Sequence, residues 1–247
     1  MKEPVVLSWS GGKDSAMALH ELLRAGEYEV TSLLTTVSDE FRRISHHGVR
    51  EALLDEQARA IGIPLEKVYL PSGNSGGCTN DIYEAIMERM MTAYRARGVR
   101  TVAFGDLFLQ DLREWREKNL AKAGMRAIFP VWKRDTTQFA RQTIRLGFKA
   151  YLSCVEDRVG PGFAGRLYDE ALLRELRSEI DPCGENGEFH SFVYDGPIFK
   201  RPISVRVGEI VVRDERYYAD LLPEEIYFER CNAGEFPPVK NRRIDNE

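Results

Sequence analysis

Cysteine is scarce in this 247-residue chain, and Cys78, Cys154, Cys183 and Cys231 are scattered with no Cys-x-x-Cys pair. Zinc knuckles and iron–sulfur centres need closely spaced thiolates, so both are disfavoured. Histidine is equally sparse, and neither His46 nor His47 has a further histidine or cysteine at metal-ligand spacing. No apolar run approaches the roughly 20 residues that cross a bilayer. The five-residue apolar stretch behind Met1-Lys2-Glu3-Pro4 is too short for the core of a signal peptide. An excess of positive charge is missing as well. Thirty-five Lys and Arg stand against 39 Asp and Glu, a net charge of −4, which gives no general pull on nucleic acid. The local clusters Phe41-Arg42-Arg43 and 141–145 read as solvated faces. Internal repeats and long low-complexity segments are absent. The expectation is a soluble, cytoplasmic protein with reduced thiols and, at 43% apolar residues, a sizeable core.

What is present alternates between strand and helix. Val5 to Trp9 is a buried strand before a Gly-rich turn, and Ala18, Leu19, Leu22 and Leu23 then repeat at helical spacing up to Gly26. Further strands are expected at 30–37, 65–70, 100–104, 127–131 and 149–154. Helices are expected at 48–61, at 80–97 with Ile82, Ile86, Met90 and Tyr94 spaced four apart, and from Asp135. Strands alternating with helices imply right-handed crossovers and a mainly parallel sheet. From Phe189 to Arg213 the pattern changes to antiparallel strands broken by Asp195-Gly196-Pro197 and Pro202. The predicted architecture is a doubly wound α/β domain over 1–130, a smaller α/β substrate-binding domain over 131–235, and a polar tail over 236–247.

The most informative residues are Ser10-Gly11-Gly12-Lys13-Asp14-Ser15, between the first strand and the first helix. In a parallel sheet, ligands collect beyond the carboxyl ends of the strands. Two glycines let successive N–H groups face one concavity, and the helix adds its own N-terminal N–H groups and dipole. Ser10 and Ser15 offer hydroxyls and Lys13 a positive charge, on what reads as an exposed turn suited to a polyphosphate. It is not a Walker A loop, because Leu7 and Asp14 occupy the positions of the first glycine and the final Ser or Thr. A helix-capping turn alone would not require two glycines, a lysine and two serines. For Asp14, a helix-capping carboxylate stands beside the ligand-binding reading.

The hexapeptide resembles the PP-loop of the ATP pyrophosphatases, a motif shared with tRNA thiolases and lysidine synthetases. Other segments narrow the resemblance: His47 ten residues before Gln57, Gly62-Ile63-Pro64-Leu65, Gly105-Asp106, Phe129-Pro130-Val131-Trp132 and Gly147-Phe148-Lys149-Ala150. Gly184 to Ser191, followed by Asp195-Gly196-Pro197-Ile198-Phe199, completes it. Together they resemble the diphthine–ammonia ligase family, in a divergent bacterial-type form, over residues 5 to about 203. The resemblance implies an adenine-nucleotide alpha-hydrolase-like, Rossmann-type fold. It further implies an ATP-dependent, AMP-forming amidation of a carboxylate on a small molecule or protein side chain, with ammonia as the nitrogen source. On that basis Ser10, Gly11, Gly12, Lys13, Asp14, Ser15, His47 and Gly105 bind ATP. Lys13, Asp14 and Asp106 act in catalysis, with Asp14 and Asp106 orienting Mg²⁺. Glu185, Asn186, Glu188 and His190 contact the substrate. A homodimer is a further expectation.

One departure concerns the substrate. Family members carry a Glu-Gly-Gly-Glu-Phe-Glu-Thr motif where this chain has Glu185-Asn186-Gly187-Glu188-Phe189-His190-Ser191. At His190 an imidazole replaces a carboxylate, which suits a trimethylammonium-bearing acceptor such as diphthine poorly. Trp115 and Trp132 read as packing residues. Arg113 and Arg116, on the helix after Gly105-Asp106, are placed to reach a carboxylate or phosphate. Cys78 and Cys183, in Gly-rich loops, are candidate thiols. The rival functions are a tRNA-modifying PP-loop enzyme and a nucleotide-binding sensor without chemistry.

Overall fold

The computed structural model describes residues 1–44, 47–71 and 78–224. Val5, Val6 and Leu7 are wholly buried at the centre of Glu3–Ser8 (β1). A strand apolar on both faces belongs in the middle of a parallel sheet covered on both sides. That is where it lies. Helix Lys13–Ala25 (α1) leads to Tyr28–Ser38 (β2), and Glu51–Ile61 (α2) leads to Leu65–Leu70 (β3). The chain then crosses back through Asn80–Ala96 (α3) to Thr101–Ala103 (β4) and through Gln110–Lys122 (α4) to Arg126–Ile128 (β5). The strands pair in parallel in the order β3-β2-β1-β4-β5. Strand order reverses between β1 and β4, so a crevice opens at their carboxyl ends. The phosphate-type turn leaves β1 at that point.

A second sheet follows helix Thr136–Arg145 (α5), whose N-cap Asp135 accepts the Gln138 N–H at 2.8 Å. It contains Lys149–Glu156 (β6), Phe189–Asp195 (β7), Val205–Arg213 (β8) and Arg216–Pro223 (β9), with the short helix Glu170–Glu175 (α6) between β6 and β7. These four strands pair antiparallel in the order β7-β6-β9-β8.

One expectation needs correction. The strand-rich region does not end at Arg213, because β8 turns back into β9 through Asp214 and Glu215, at φ 50° and 58°. Such a hairpin turn favours Gly or Asn, and neither stood there as a signal. The spacing of four along α3 does not trace its inner face, since Met91 and Tyr94 are buried while Ile82 is 44% exposed. Residues four apart drift about 40° per step at 3.6 residues per turn, so the 82-86-90-94 line cannot remain on one face. The Gly-rich stretch at 72–77, His46 and the tail over 236–247 lie outside the described residues. Among the described residues no helix is long and apolar enough to cross a membrane.

The two sheets share one apolar cluster, from Leu7, Trp9 and Leu54 to Phe189, Phe192 and Val193. A polar clamp runs through it. Gln57 of α2 is fully buried, and its Oε1 accepts the Trp9 indole N–H at 3.0 Å. Its Nε2 donates to the carbonyls of Gly11 (2.9 Å) and Val193 (2.6 Å). The Val193 N–H donates to the same Gly11 carbonyl at 2.9 Å. Gln57→Leu keeps the volume but leaves a buried indole N–H and two carbonyls short of a partner. It is expected to lower unfolding free energy by about 2–4 kcal/mol, since each orphaned group costs about 1–3 kcal/mol and relaxation recovers part. Urea denaturation checks this.

Candidate active site

Gly11 sits at φ +76°, with its would-be Cβ 2.7 Å from Gln57 Oε1, so both backbone conformation and space demand glycine. Gly12 is the N-cap of α1 and has no side chain to cap with. The Ser10 hydroxyl takes the Gly12 N–H at 3.3 Å and lies 3.2 Å from the Ser15 hydroxyl. Ser15 in turn donates to the Gly12 carbonyl at 2.9 Å. The turn is therefore closed on itself by the two serines, with the amino end of α1 beneath it.

Gly105 explains how the loop after β4 reaches this turn. A Cβ there would stand 2.7–2.8 Å from the backbone of Asp14 and Ser15. No side chain fits between the two segments. Beyond it, both Asp106 oxygens are taken by Arg116, with Nε at 2.7 Å and Nη2 at 3.2 Å, and that guanidinium lies over Phe104 at 4.2 Å. Arg113 lies over Phe129 and Trp132, 4.8 Å from each ring centroid.

Lys13 is not on an exposed surface, as the sequence suggested, but 1% exposed. Its ammonium donates to Asp14 Oδ2 at 2.9 Å and to the Cys183 carbonyl, and lies 5.5 and 5.3 Å from the ring centroids of Tyr168 and Phe189. Two aromatic faces and a carbonyl from the second sheet's segments compensate the buried charge. Burial works against that charge, but the Asp14 carboxylate and its neighbours outweigh it and hold the lysine above its ordinary value. Burial pushes the Asp14 carboxyl up, and Lys13 offsets part of that. The Lys13 backbone N–H, in the first turn of α1, donates to Ser191 Oγ at 3.1 Å.

The segment 181–191 forms the opposite wall. Asp181 Oδ1 accepts the N–H groups of Cys183 (2.8 Å) and Glu185 (3.4 Å). Glu188 is fully buried, and its Oε1 accepts from the Asp181 N–H and from Asn186 Nδ2, both at 3.1 Å. Glu188 and Asn186, expected at the substrate, brace this loop. What the loop presents is Glu185, whose carboxylate accepts the Leu107 N–H at 2.6 Å and the Phe108 N–H at 3.4 Å. Burial, and next the Asp14 carboxylate, push Glu185 up to about 7. The Cys183 thiol donates to the Thr136 carbonyl at 3.2 Å and is pushed far up by burial, which removes it as a nucleophile at neutral pH. Cys78 is half-buried outside this cluster.

His190 on β7 lies opposite Cys154, which lies opposite Tyr218 on β9, so the three share one face of the second sheet. Onto that face packs the segment after β2. Gly48 approaches so closely that a Cβ would stand 2.5 Å from the Tyr218 ring. That contact sets His47 stacked on His190, ring centroids 4.3 Å apart at 29°. His47 Cε1 is 3.3 Å from the position of a Gly12 Cβ. Two histidines 143 positions apart in sequence thus meet beside the phosphate-type turn.

The donors can be tested against a Mg²⁺ ion. Among the described residues no group of three or more His, Cys, Asp or Glu is arranged to hold a metal. Asp106 is engaged by Arg116, whereas Asp14 Oδ1 is buried without a hydrogen-bond partner. Mg²⁺ binds commonly through one or two carboxylates, with phosphate oxygens and water completing its octahedron. Asp14 fits as one such donor, and there is no ready-made cage. Near the carboxyl ends of β1 and β4 a pocket of about 80 Å³ opens between α3 and α4. Ser8, Phe104, Tyr83, Met87 and Trp115 line it, and Arg116 lies on its wall.

The raised Glu185 carboxyl gives stability a pH dependence. The folded protein holds that proton up to about pH 7, while the unfolded chain releases it near the ordinary glutamate value of 4.5. Stability from this group is therefore complete below about 4.5 and lost as pH rises towards 7. Thermal melts across that window should show Glu185→Gln declining less steeply than the parent chain. Equal slopes would place Glu185 in water.

The family model for the diphthamide synthase N-terminal domain matches residues 1–127, and that for the C-terminal domain matches 135–222. Diphthine–ammonia ligase of Danio rerio is 25% identical over 238 residues, covering 85% of this chain and 89% of its own. The Homo sapiens ligase is 25% identical over 230 residues, covering 85% of each. The Schizosaccharomyces pombe ligase is 26% identical over 223 residues, covering 82% of this chain and 36% of its own. Among solved structures, a protein described as a predicted subunit of tRNA methyltransferase from Methanocaldococcus jannaschii aligns at TM-score 0.44 and 16% identity. That alignment covers 81% of this chain and all of the other.

Proposed function

The chain belongs to the diphthamide synthase family, and from that premise we propose that it is an ATP-dependent ligase that adenylates a carboxylate and passes the acyl group to ammonia. The observation that carries this reading is the meeting of the α1 amino end with Glu185, both at the switch point of the parallel sheet. A phosphate-holding turn and a carboxyl that titrates near neutrality are what the two half-reactions need. Diphthine–ammonia ligase is the name of the relatives, and the reaction class is carried over from them.

In the first half-reaction an acceptor carboxylate oxygen bonds to the α-phosphorus of ATP. The bond from that phosphorus to the bridging oxygen breaks, and pyrophosphate leaves with the electron pair. Ser10, Gly11, Gly12 and Ser15 line the turn that holds the phosphates, and the first-turn N–H groups of α1 face the developing charge. Lys13 acts as a fixed positive charge beneath the turn, anchored by Asp14 and the Cys183 carbonyl. Asp14 would hold Mg²⁺ through Oδ1, and the ion would neutralise the departing pyrophosphate. The pocket between α3 and α4 takes the adenine, with Tyr83, Phe104 and Trp115 as its aromatic wall.

The second half-reaction needs ammonia with a free electron pair, whereas ammonium dominates at neutral pH. Ionised Glu185 takes one proton from ammonium, the nitrogen lone pair forms the C–N bond, and the bond from carbon to the AMP oxygen breaks. The surplus proton on the new amide leaves to water. A carboxyl with a value of about 7 is matched to this transfer. His47 and His190, stacked beside the turn, are read as facing the acceptor, and two imidazoles there favour an anionic acceptor over one bearing a trimethylammonium group.

ATP labelled at the α or γ position should yield AMP and pyrophosphate when diphthine-bearing elongation factor or other carboxylate acceptors are supplied with ammonium. ADP and phosphate as the products would refute the reading, and turnover only with tRNA would favour a tRNA-modifying enzyme. Glu185→Gln should slow ammonium-dependent amide formation by about a hundredfold. Hydroxylamine, already neutral at pH 7, should be used nearly as well by the variant as by the parent. Met87→Trp, which fills the proposed adenine pocket, should raise the KM for ATP with little change in melting temperature.

A further inference from the structure

Among the described residues, strand β8 is the outermost strand of the second sheet, paired on one side with β9. Val207, Ile210, Val211 and Val212 on this strand are 37, 42, 51 and 63% exposed. Solvent-facing edges are ordinarily protected by proline, lysine or short length, because their unpaired N–H and C=O groups template another strand. Val205–Arg213 is nine residues long and contains neither proline nor lysine. Its charges carry the argument. Glu209 and Arg213 flank Val211 symmetrically, two residues on either side.

We propose that β8 pairs antiparallel with β8 of a second copy of this chain, about a two-fold axis through Val211, so that two four-stranded sheets become one of eight. In that register Glu209 of each copy faces Arg213 of the other, Ile210 faces Val212, and Val211 faces its own counterpart. Directly opposed residues share a face. One face then carries a Val211 pair between two ion pairs, and the other a patch of four apolar side chains.

Competing registers are worse. The β8–β9 ladder is irregular between Val207 and Ile210, which leaves the second half of β8 as the regular half. An axis at Glu209 sets two carboxylates against each other. An axis at Ile210 puts Glu209 opposite Val211, and one at Val212 leaves Glu209 beyond the pairing. Only the Val211 axis matches both charges. Arg213 is half exposed, with its guanidinium over Phe41 and a 3.4 Å contact to Asp214, so its charge is available at the edge. A five-residue ladder is a small interface, and the association is accordingly concentration-dependent.

The test requires neither ATP nor acceptor. Analytical ultracentrifugation of the full chain should show a dimer that dissociates on dilution. Glu209→Arg alone and Arg213→Glu alone each set like charges opposite one another, and each should weaken self-association by at least ~tenfold. An equimolar mixture of these two variants restores opposite charges at both positions and should recover the dimer. Because the mixture must regain what each component lost, misfolding of a variant cannot imitate the result. Val211→Cys should form a disulfide-linked dimer on oxidation, whereas Ile210→Cys, facing Val212 of the other copy, should not. A chain that is monomeric at all concentrations would overturn the proposal. So would a dimer indifferent to both charge reversals, or a mixture that fails to recover. Each of those outcomes would leave the edge to a strand of another protein or to residues 225–247 of this chain.

Discussion

The carbonyl of Gly11 accepts two hydrogen bonds, one from Gln57 and one from the backbone of Val193, and much of the molecule's organisation depends on it. A glycine at φ +76° turns that carbonyl away from the crevice and towards the second sheet. The N–H groups that follow turn to hydroxyls instead, Gly12 to Ser10 and Lys13 to Ser191. The phosphate-type turn is thus shaped from behind by β7, and the second sheet is part of its construction. Lys13 repeats the logic in reverse, reaching out of the turn to the Cys183 carbonyl and the rings of Tyr168 and Phe189. Each half of the site completes the hydrogen bonding of the other.

Much of this architecture was legible in the sequence because the signals are local. The buried run at β1, the glycines after α1 and α2, and the Asp135 cap each act within a few residues of the structure they determine. The hexapeptide turn was legible for the same reason. The burial of Lys13 was not, because it depends on Tyr168, Cys183 and Phe189, more than 150 positions away. Gln57 stood in the family pattern without a role, since a glutamine on an amphipathic helix gives no sign that three groups converge on it. The hairpin into β9 was missed because Asp214 and Glu215 adopt a left-handed conformation that sequence reserves for Gly and Asn. The adjacency of His47 and His190 needed the close approach of Gly48 to Tyr218, a contact with no local signature.

Within the motif 185–191, some side chains bond inside the segment and others face out of it. Glu188 and Asn186 bond within the segment and hold its shape, while Glu188 Oε2 is buried without a hydrogen-bond partner. Glu185 faces the β4 loop and feels Asp14, which ties its proton to the charge state of the turn. A negatively charged ligand at the turn would raise the affinity of Glu185 for its proton, and pyrophosphate departure would lower it. In the proposed two-step reaction, that carboxyl would become a base after the first half-reaction, when one is needed.

Ser191 shows why one departure from the family motif is mild and its neighbour is not. Its Oγ accepts the Lys13 N–H, which uses one lone pair and leaves the hydroxyl hydrogen to donate elsewhere. A phosphate oxygen arriving at the α1 amino end can take that hydrogen while the existing bond persists. Serine and threonine supply the same group, so exchanging them leaves the turn's hydrogen bonding unchanged. His190, one residue earlier, points to the opposite face of β7 as strand alternation requires. There it stacks on His47. On the proposed reading, the change from carboxylate to imidazole on this face is where the acceptor would be distinguished.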